Sequence, residues 1–425
     1  MYLNGNLNDI HNPHSMKDAD KFVDIITKKI EEHKPVRIIG DYDIDGVVST
    51  FILIKGLKRV GALADTYIPD RVADGYGIHE HLIERAVNDG IDVIVTCDNG
   101  IAAYNQVRYA KDNGITMIVT DPHDVPFEIK DDKKVYIVPP ADAVINPKQA
   151  DCDYPFKLLC GAGVAYKLIS LLYDRLGLDK KELEDYIEFM AIATVGDIVD
   201  LIDENRIVVK YGLKHIAHTK NTGLRALIEE CQLDINNISS YHIGFVIGPC
   251  LNASGRLDTA RQAIELMLCK DNEKAHNMAK ELIALNNERK SMTEQETQKA
   301  IELVENTGLL KDRVLVIYLK NCHESIAGII AGRIKERYYR PTFVITNAED
   351  GAKGSGRSIE GYNMYEEINK CKNVLTKYGG HPMAAGLSLA ISDIDIFRKM
   401  LNDNAILTDE DLIPKMWIDV PMPVS

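Results

Sequence analysis

The sequence predicts an α/β protein in which a parallel-sheet domain and a smaller α/β domain are joined by a long helix. Short β-rich runs alternate with amphipathic stretches in the first part of the chain, a rhythm typical of a parallel sheet covered by helices. A stretch from Asp271 to Thr307 then contains neither Gly nor Pro. After it the alternation resumes, which predicts the second domain.

The elements of the first domain alternate in order along the chain. Buried strands are predicted at Val36–Ile39, Val93–Thr96, Ile115–Thr120 and Val135–Val138. Amphipathic helices are predicted at Asp18–His33, Thr50–Val60, His79–Asn88 and Ala103–Asn113. From about residue 158 to Cys231 the apolar residues recur at helical spacing, so we expect a helical extension of this domain.

The stretch without Gly or Pro predicts one long helix that ends before Gly308. Such a helix would be about 55 Å long, and its narrow apolar stripe is more typical of a spacer than of a core element. Beyond it, strands are predicted at Val314–Tyr318, Thr342–Thr346 and Ala384–Ala390, and helices at Ile326–Tyr338, Met364–Lys377 and Asp393–Asn404. We therefore expect a first domain over residues 1–268, a connecting helix over 269–308 and a second domain over 309–425.

Composition narrows the class of protein. The chain has 425 residues, 45% of them hydrophobic, and a formal net charge of −14, so its overall field does not attract duplex DNA. No apolar stretch approaches the ~20 residues of a membrane span, and the first residues lack the features of a secretory signal. Eight Cys without a C-x-x-C pair indicate reduced thiols. We expect a cytoplasmic protein without a zinc site or membrane contact.

Aspartates follow three successive predicted strands. Asp41, Asp43 and Asp45 come after the first strand, Asp98 after the second and Asp121 after the third. Because the carboxyl ends of parallel strands meet at one edge of the sheet, we expect these side chains to cluster. Clustered carboxylates repel one another unless a cation holds them, and hard oxygen ligands with an imidazole favour Mg²⁺ or Mn²⁺.

Other interpretations of these aspartates carry less weight. A single Asp after a strand is more often a helix cap, so the argument depends on all three strand ends together. A calcium-binding EF-hand loop is not predicted, because the twelfth loop position, counted with Asp41 as the first, is the apolar Ile52. Asp197 lies in the apolar run Ala191–Leu201, so we expect it to be buried beside the metal, with a cap at a helix break as the alternative.

Several ordered motifs carry a resemblance to a known family. The first domain contains GDYDIDGVVST, VTCDNGI, TDPHDVP, ATVGDIVDL and GPCLNASGRL, and the second contains KGSGRSIEGYNM and YGGHPMAAGLSL. From about Met16 to about residue 400 the chain resembles the DHH phosphoesterase superfamily and, within it, the RecJ single-stranded-DNA-specific exonucleases. The second domain is similar to the DHH-associated domain of that superfamily, which binds nucleic acid.

The resemblance implies a hydrolase that uses two Mn²⁺ or Mg²⁺ ions to remove 5′-mononucleotides from single-stranded DNA in the 5′→3′ direction, in DNA repair and recombination. It places the metal ligands at Asp43, Asp45, Asp98 and Asp197. It places Asp41 beside them and His123 at the scissile phosphate, and Arg256 is a further candidate for that phosphate. The substrate-binding positions are Asn252, Lys353, Ser355, Arg357, Gly379, Gly380 and His381.

The chain departs from the family pattern at two places. Asp-Pro-His stands where the family has Asp-His-His, so Pro122 replaces an imidazole ligand. We expect a weakened second metal site; the alternatives are replacement of the ligand by Asp121, Asp124 or water, and loss of catalysis with strand binding retained. RecJ-type proteins usually continue into an OB-fold that binds single strands, so the chain is either a fragment or lacks that module.

Two further hypotheses remain open from the sequence. The first is a phosphodiesterase for short oligonucleotides or cyclic dinucleotides, as in shorter DHH relatives. The second is a strand-binding protein without catalysis, motivated by Pro122. Basic residues between positions 333 and 340 surround Tyr338 and Tyr339, which suits a single strand and equally suits a solvated helix face. The expected partners are single-stranded DNA or short oligonucleotides; the sequence names no protein partner.

Overall fold

The computed structural model describes residues 5–71, 74–75, 77–131, 133–416, 418 and 420. The chain divides into two compact units, Met1–Asn286 and Asn287–Ser425. The division falls inside one long helix, Asn272–Asn306, at the place where the sequence predicts a spacer helix. The predicted three-part division of the chain stays a prediction, and its last residues, 421–425, lie outside the described part.

A five-stranded parallel sheet forms the centre of the first unit. Its strands are β1 (Pro35–Ile39), β2 (Leu63–Tyr67), β3 (Val93–Cys97), β4 (Thr116–Thr120) and β7 (Ala143–Ile145), and a separate antiparallel hairpin contains β5 (Phe127–Lys130) and β6 (Lys133–Tyr136). The order β2-β1-β3-β4-β7 reverses direction between β1 and β3. Ligands of open parallel sheets bind at such a reversal, beyond the carboxyl ends of the strands.

Helices cover both faces of this sheet, which explains why its central strands are largely apolar and buried. The helices of the first unit are α1 (Ala19–Glu31), α2 (Ile44–Arg59), α3 (Glu80–Asn88), α4 (Tyr104–Asp112), α5 (Gly161–Arg175), α6 (Glu184–Gly196), α7 (Asp203–Ile216), α8 (Thr222–Glu230), α9 (Ser240–His242), α10 (Gly248–Leu257) and α11 (Arg261–Leu268), and a π-helix spans Ile243–Ile247. One hydrophobic cluster packs α2, α5 and α6 on one face, where Phe51 and Phe189 have ring centroids 4.4 Å apart. A second cluster packs α3 and α4 on the other face.

The second unit contains a mixed five-stranded sheet. The long helix, α12 (Asn272–Asn306), leads into β8 (Leu315–Tyr318), α13 (Glu324–Tyr338), β9 (Thr342–Ala348), β10 (Gly351–Arg357), α14 (Met364–Lys370), β11 (Lys377–His381), β12 (Ala384–Leu389) and α15 (Ile394–Asn404). The strand order is β11-β12-β10-β9-β8, in which only the β8–β9 pair is parallel. The fold class predicted from the sequence is confirmed for both units.

Several predicted elements need correction. The fourth buried strand, predicted at Val135–Val138, is wrong: the strand there is β6, which is exposed throughout, and β7 pairs with β4 at the edge of the parallel sheet. The sequence also missed the edge strand β2 and the glycine-rich strands β10 and β11. Helix α2 begins six residues before the predicted Thr50, because Asp43 caps it. Within the described residues, no helix is both long enough and apolar enough to span a bilayer.

Candidate metal centre

The loop between β1 and α2 brings Asp41 and Asp43 to the carboxyl edge of the sheet. Asp43 caps α2, and its Oδ1 accepts hydrogen bonds from the N–H groups of Asp45 and Gly46 at 3.0 Å each. A methyl group at Gly46 would lie 2.6 Å from the Asp41 backbone, so the tight loop requires glycine. Asp41 is buried, and its Oδ1 has no hydrogen-bond partner among the described residues. Burial and the charge of Asp43 raise the pKa of Asp41 well above its ordinary value.

The next two strands add Asp98, Asp121 and His123 at the same edge. Asp98 is buried and has a left-handed backbone, with φ of 60°. Asp121 Oδ2 accepts a hydrogen bond from the Ile101 N–H at 2.8 Å. The other oxygen, Oδ1, accepts one from the His123 N–H at 2.9 Å and lies 2.7 Å from His123 Nδ1. The His123 ring is thereby held 3.8 Å from Asp98 Oδ1.

These side chains form two overlapping groups of potential metal ligands. Asp41, Asp43 and Asp98 form one, and Asp98, Asp121 and His123 form the other; within each group one ligand atom per residue lies within 4.8 Å of the others. Burial and the neighbouring carboxylates raise the pKa of Asp98 well above its ordinary value, because several carboxylates lie close together at this edge of the sheet. Oxygen ligands with one imidazole, and the unpartnered Asp41 Oδ1, fit Mn²⁺ or Mg²⁺, and Asp98 belongs to both groups of ligands.

Asp45 lies in neither group, although the resemblance assigns it to a metal. Its two carboxylate oxygens accept hydrogen bonds from the N–H groups of Gly161 at 2.5 Å and Ala162 at 2.8 Å, at the N-terminus of α5. Burial, with the charge of Asp43, raises the pKa of Asp45 to about 6. The structure therefore places Asp45 as the connection between the aspartate loop and α5.

Asp197 also lies outside both groups. It is exposed after the last turn of α6, which corrects the expectation of burial. It lines a cavity of about 250 Å³ together with Pro122, His123 and Lys148. Partial desolvation and the charges of Asp45 and Asp43 raise the pKa of Asp197 to about 8. Pro122 supplies no ligand atom to this cavity. Because Asp197 lies in neither ligand group, its role as a metal ligand stays a prediction.

One helix and one loop place cationic and polar side chains near the aspartates. Asn252 and Arg256 are half-buried on α10. This helix packs tightly on the loop between β1 and α2: a methyl group at Gly255 would lie 2.2 Å from the Tyr42 carbonyl oxygen. Sequence reasoning missed Arg71, whose guanidinium lies 4.1 Å from the centre of the Tyr42 ring and lowers the pKa of Asp41. Arg71 follows β2. A prediction of β2 would therefore have indicated it, because residues that follow parallel strands meet at the same edge of the sheet.

In the second unit, the predicted phosphate-binding residues lie on one face of the sheet. Lys353, Ser355 and Arg357 alternate along β10 with buried residues. Across β12, Ser355 is in register with Gly379 and Arg357 with His381. A methyl group at Gly379 would meet no atom within 4 Å, so this face is open beside Ser355.

Other side chains of the second unit have structural partners. Lys353 forms an ion pair with Glu324 of α13 at 2.8 Å. Gly380 has a φ of 152°, and a methyl group there would lie 2.4 Å from the Ala384 carbonyl oxygen. The basic residues near Tyr338 also pair with carboxylates: Arg333 with Glu294 at 3.0 Å and Arg337 with Glu305 at 3.4 Å. These ion pairs favour the solvated-face interpretation of that helix.

Comparison with known proteins identifies the family. The family model described as "DHH family, N-terminal domain" matches residues 35–194, and that of the DHHA1 domain matches residues 311–406. The single-stranded-DNA-specific exonuclease RecJ of Dickeya dadantii is 36% identical over 400 residues, which cover 90% of this chain and 68% of that protein. The chain belongs to the RecJ family. The resemblance predicted from the sequence motifs is thereby confirmed.

Two further comparisons extend this family assignment. RecJ of Bacillus subtilis is 37% identical over 417 residues, which cover 97% of this chain and 51% of that protein. The chain thus spans about half the length of that RecJ relative. A crystal structure of exonuclease RecJ bound to manganese superposes with a TM-score of 0.79 at 29% identity, covering 91% of this chain and 94% of the other.

Proposed function

We propose that this chain is a metal-dependent exonuclease that degrades single-stranded DNA to 5′-mononucleotides in the 5′→3′ direction, in DNA repair and recombination. The observation that carries the proposal is the pair of ligand groups sharing Asp98 at the reversal point of the parallel sheet. The RecJ relatives are named as single-stranded-DNA-specific exonucleases, and one RecJ structure contains manganese. Both facts support this activity and a divalent cation in this chain.

The aspartates and His123 divide the work of holding the ions. Asp41, Asp43 and Asp98 would hold one ion, and Asp98, Asp121 and His123 the other. When bound, such ions activate water and polarise a phosphodiester. With proline at position 122, Asp121 and His123 are grouped with Asp98 as donors for the second ion, so we assign His123 to the metal rather than to the phosphate. Asp45 keeps the loop against α5.

Local positive charge would bind the strand despite the net charge of −14. Arg71, Asn252 and Arg256 lie beside the aspartate loop, where they would contact the scissile phosphate or its neighbour. In the second unit, the open sheet face with Ser355, Arg357 and His381 would hold further phosphates. All eight cysteines are free thiols, which supports a cytoplasmic setting.

Pro122 favours a second candidate, a relative that binds strands without cutting them. The cavity at Pro122 contains Asp197 and His123, but the proline ring offers no donor to it. Loss of one ligand typically lowers metal affinity or activity about 10- to 100-fold, which weakens an enzyme without abolishing it. For this reason we place the slow exonuclease first and the strand-binding protein second.

The test uses single-stranded DNA carrying a label at its 5′ end, incubated with the purified chain in Mn²⁺. We expect labelled mononucleotide as the first product, with none in the presence of a chelator and none from Asp98→Asn. The matched control is Asp112→Asn, an exposed carboxylate at the end of α4, which should cut like the wild type. Manganese-independent strand binding without nucleotide release would support the second candidate. Preferential cleavage of dinucleotides would instead support the phosphodiesterase for short oligonucleotides.

A further inference from the structure

A two-stranded hairpin follows the loop that carries Asp121 and His123. Its strands β5 and β6 pair from Phe127 opposite Tyr136 to Lys130 opposite Lys133. Every residue of both strands is exposed to solvent. Isolated two-stranded hairpins are marginally stable in water, and this one does not contribute to either hydrophobic cluster of the first unit. Its exposed apolar side chains therefore call for a role outside the core.

The two faces of the hairpin differ in chemistry. Residues opposite one another in an antiparallel pair share a face, so one face carries Phe127, Ile129, Lys134 and Tyr136. The rings of Phe127 and Tyr136 meet edge to face with centroids 6.1 Å apart, and Lys134 Nζ lies 4.3 Å from the centre of the Phe127 ring. The other face carries Glu128, Lys130, Lys133 and Val135. Among the described residues of the hairpin, the aromatic face has one ammonium group and no carboxylate.

The base of the hairpin is fixed to the candidate metal centre. The Ile137 N–H donates a hydrogen bond to the Pro126 carbonyl at 2.7 Å, which closes the hairpin three residues after His123. The His123 carbonyl accepts a hydrogen bond from Asn146 Nδ2 at 2.8 Å, which ties the loop to the segment after β7. At ~3.3 Å per residue the strands extend roughly 13 Å from this base, comparable to a few nucleotides of a strand.

We propose that the face formed by Phe127, Ile129, Lys134 and Tyr136 is a stacking platform for the nucleobases of the single strand whose phosphate lies at the aspartates. Aromatic rings stack on bases without regard to sequence, and an ammonium group beside them suits the phosphate backbone. The absence of a carboxylate from this face suits an anionic ligand, and the position next to His123 and the candidate metal centre favours a nucleic acid over an acidic peptide. The platform rests on the proposed function for its substrate.

The test compares binding and cleavage by variants of exposed residues, so that folding is preserved. The double variant Phe127→Ser/Tyr136→Ser removes both rings, and Phe127→Tyr/Tyr136→Phe keeps them. Val135→Ser, on the opposite face, is the matched control. Binding of a fluorescent oligothymidylate is measured by anisotropy in the presence of a chelator, and nucleotide release is measured in Mn²⁺. Thermal unfolding of each variant checks that the chain is folded.

We expect the serine double variant to bind at least about 10-fold more weakly, because stacking one base on one ring corresponds to about 5- to 150-fold in affinity. The affinities of the ring-swapped double variant and of Val135→Ser should stay within about twofold of that of the wild type. An oligonucleotide with abasic sites should bind the wild type as weakly as the intact one binds the serine variant.

The outcomes separate the platform from the exonuclease. Equal binding by the serine variant and the wild type overturns the platform, whatever the nuclease assay gives. Equal losses in the serine and ring-swapped variants also overturn it, because the loss then reflects the hairpin and not stacking. Weaker binding by the serine variant alone, together with no nucleotide release by the wild type, supports the platform and overturns the proposed exonuclease. No DNA binding by the wild type in the presence of a chelator overturns the platform, and it overturns the exonuclease as well only if the wild type releases no nucleotide in Mn²⁺.

Discussion

Gly161, the first residue of α5, lies between two of the aspartates, and replacing it with alanine should disturb both. Its N–H donates to Asp45 Oδ2 at 2.5 Å. A methyl group at this position would lie 2.9 Å from Asp98 Cβ and 2.9 Å from Ser49 Oγ. Non-bonded carbon atoms rest about 3.5–4.0 Å apart, so the Gly161→Ala variant must separate the methyl group from Asp98 by roughly 0.5–1 Å.

The size of the effect follows from this displacement. A misplacement of about 1 Å in a catalytic group can lower a rate about 100-fold. Overpacking a filled site costs about 1–3 kcal/mol of unfolding free energy. We therefore expect Gly161→Ala to release mononucleotide about 10- to 100-fold more slowly at saturating Mn²⁺, while the chain remains folded below a modestly lowered melting temperature.

The matched control is Gly163→Ala, two residues further along the same helix. A methyl group there would lie 3.0 Å from Leu159 Cδ2 and 3.2 Å from Met190 Cε, which are ends of flexible side chains. Nucleotide release by this variant should stay within about twofold of the wild type. Wild-type release by folded Gly161→Ala, or an equal loss in Gly163→Ala, would refute the reasoning.

Three further predictions concern the metal centre and one buried acid. Pro122→His places an imidazole at the cavity with Asp197 and should raise the affinity for Mn²⁺ or the rate of mononucleotide release about 10- to 100-fold. If the variant and the wild type respond equally to a manganese titration, the proline has not replaced a ligand. Mn²⁺ at 100 times its dissociation constant should stabilise the wild type by about 2.7 kcal/mol, and the Asp98→Asn variant should not be stabilised. If Mn²⁺ still raises the melting temperature of Asp98→Asn, the assignment of the metal centre is contradicted. Burial raises the pKa of Glu188 from 4.5 to about 7, so the folded state keeps a proton that the unfolded chain releases, and stability falls as pH rises between these values. The free energy of unfolding of Glu188→Gln should therefore exceed that of the wild type by about 1–3 kcal/mol at pH 8 and match it near pH 4. If the two proteins show the same dependence of unfolding free energy on pH, the burial argument is contradicted.

The aspartates at the strand ends could be predicted because their signal is local. Each follows an apolar run that forms a central strand, and parallel pairing alone brings Asp41, Asp43 and Asp98 to one edge. The direction of each carboxylate could not be predicted in this way. Asp45 turns to the amides of Gly161 and Ala162, more than a hundred residues away, and only the packing of α5 determines that contact.

Asp197 shows why apolar neighbours in a sequence do not guarantee burial. Val195 lies in α6, but the helix ends at Gly196, which packs so tightly on Ile44 that a methyl group would lie 2.7 Å from it. Beyond this end the backbone turns, with Ile198 in a left-handed conformation and 88% exposed. The periodicity that predicts burial within a helix no longer applies past its last turn.

The hairpin at β5 and β6 escaped prediction for a related reason. The run that ends at Val138 is apolar enough for a buried strand, and single-strand periodicity cannot tell a strand of the sheet from one arm of an exposed hairpin. The strand that pairs with β4 at the edge of the sheet, β7, has only three residues and gives a weak signal. Pairing with strands that are distant in the sequence decides which segment joins the parallel sheet, and a local sequence pattern does not contain this information.

Anomalous scattering at the manganese absorption edge, from a crystal soaked in Mn²⁺, tests the central claim most directly. We predict two peaks that share Asp98: a strong one against Asp41 and Asp43, and a weaker one against Asp121 and His123. No peak at these carboxylates, or peaks bound by Asp45 and Asp197 without Asp98, would contradict the account of this centre.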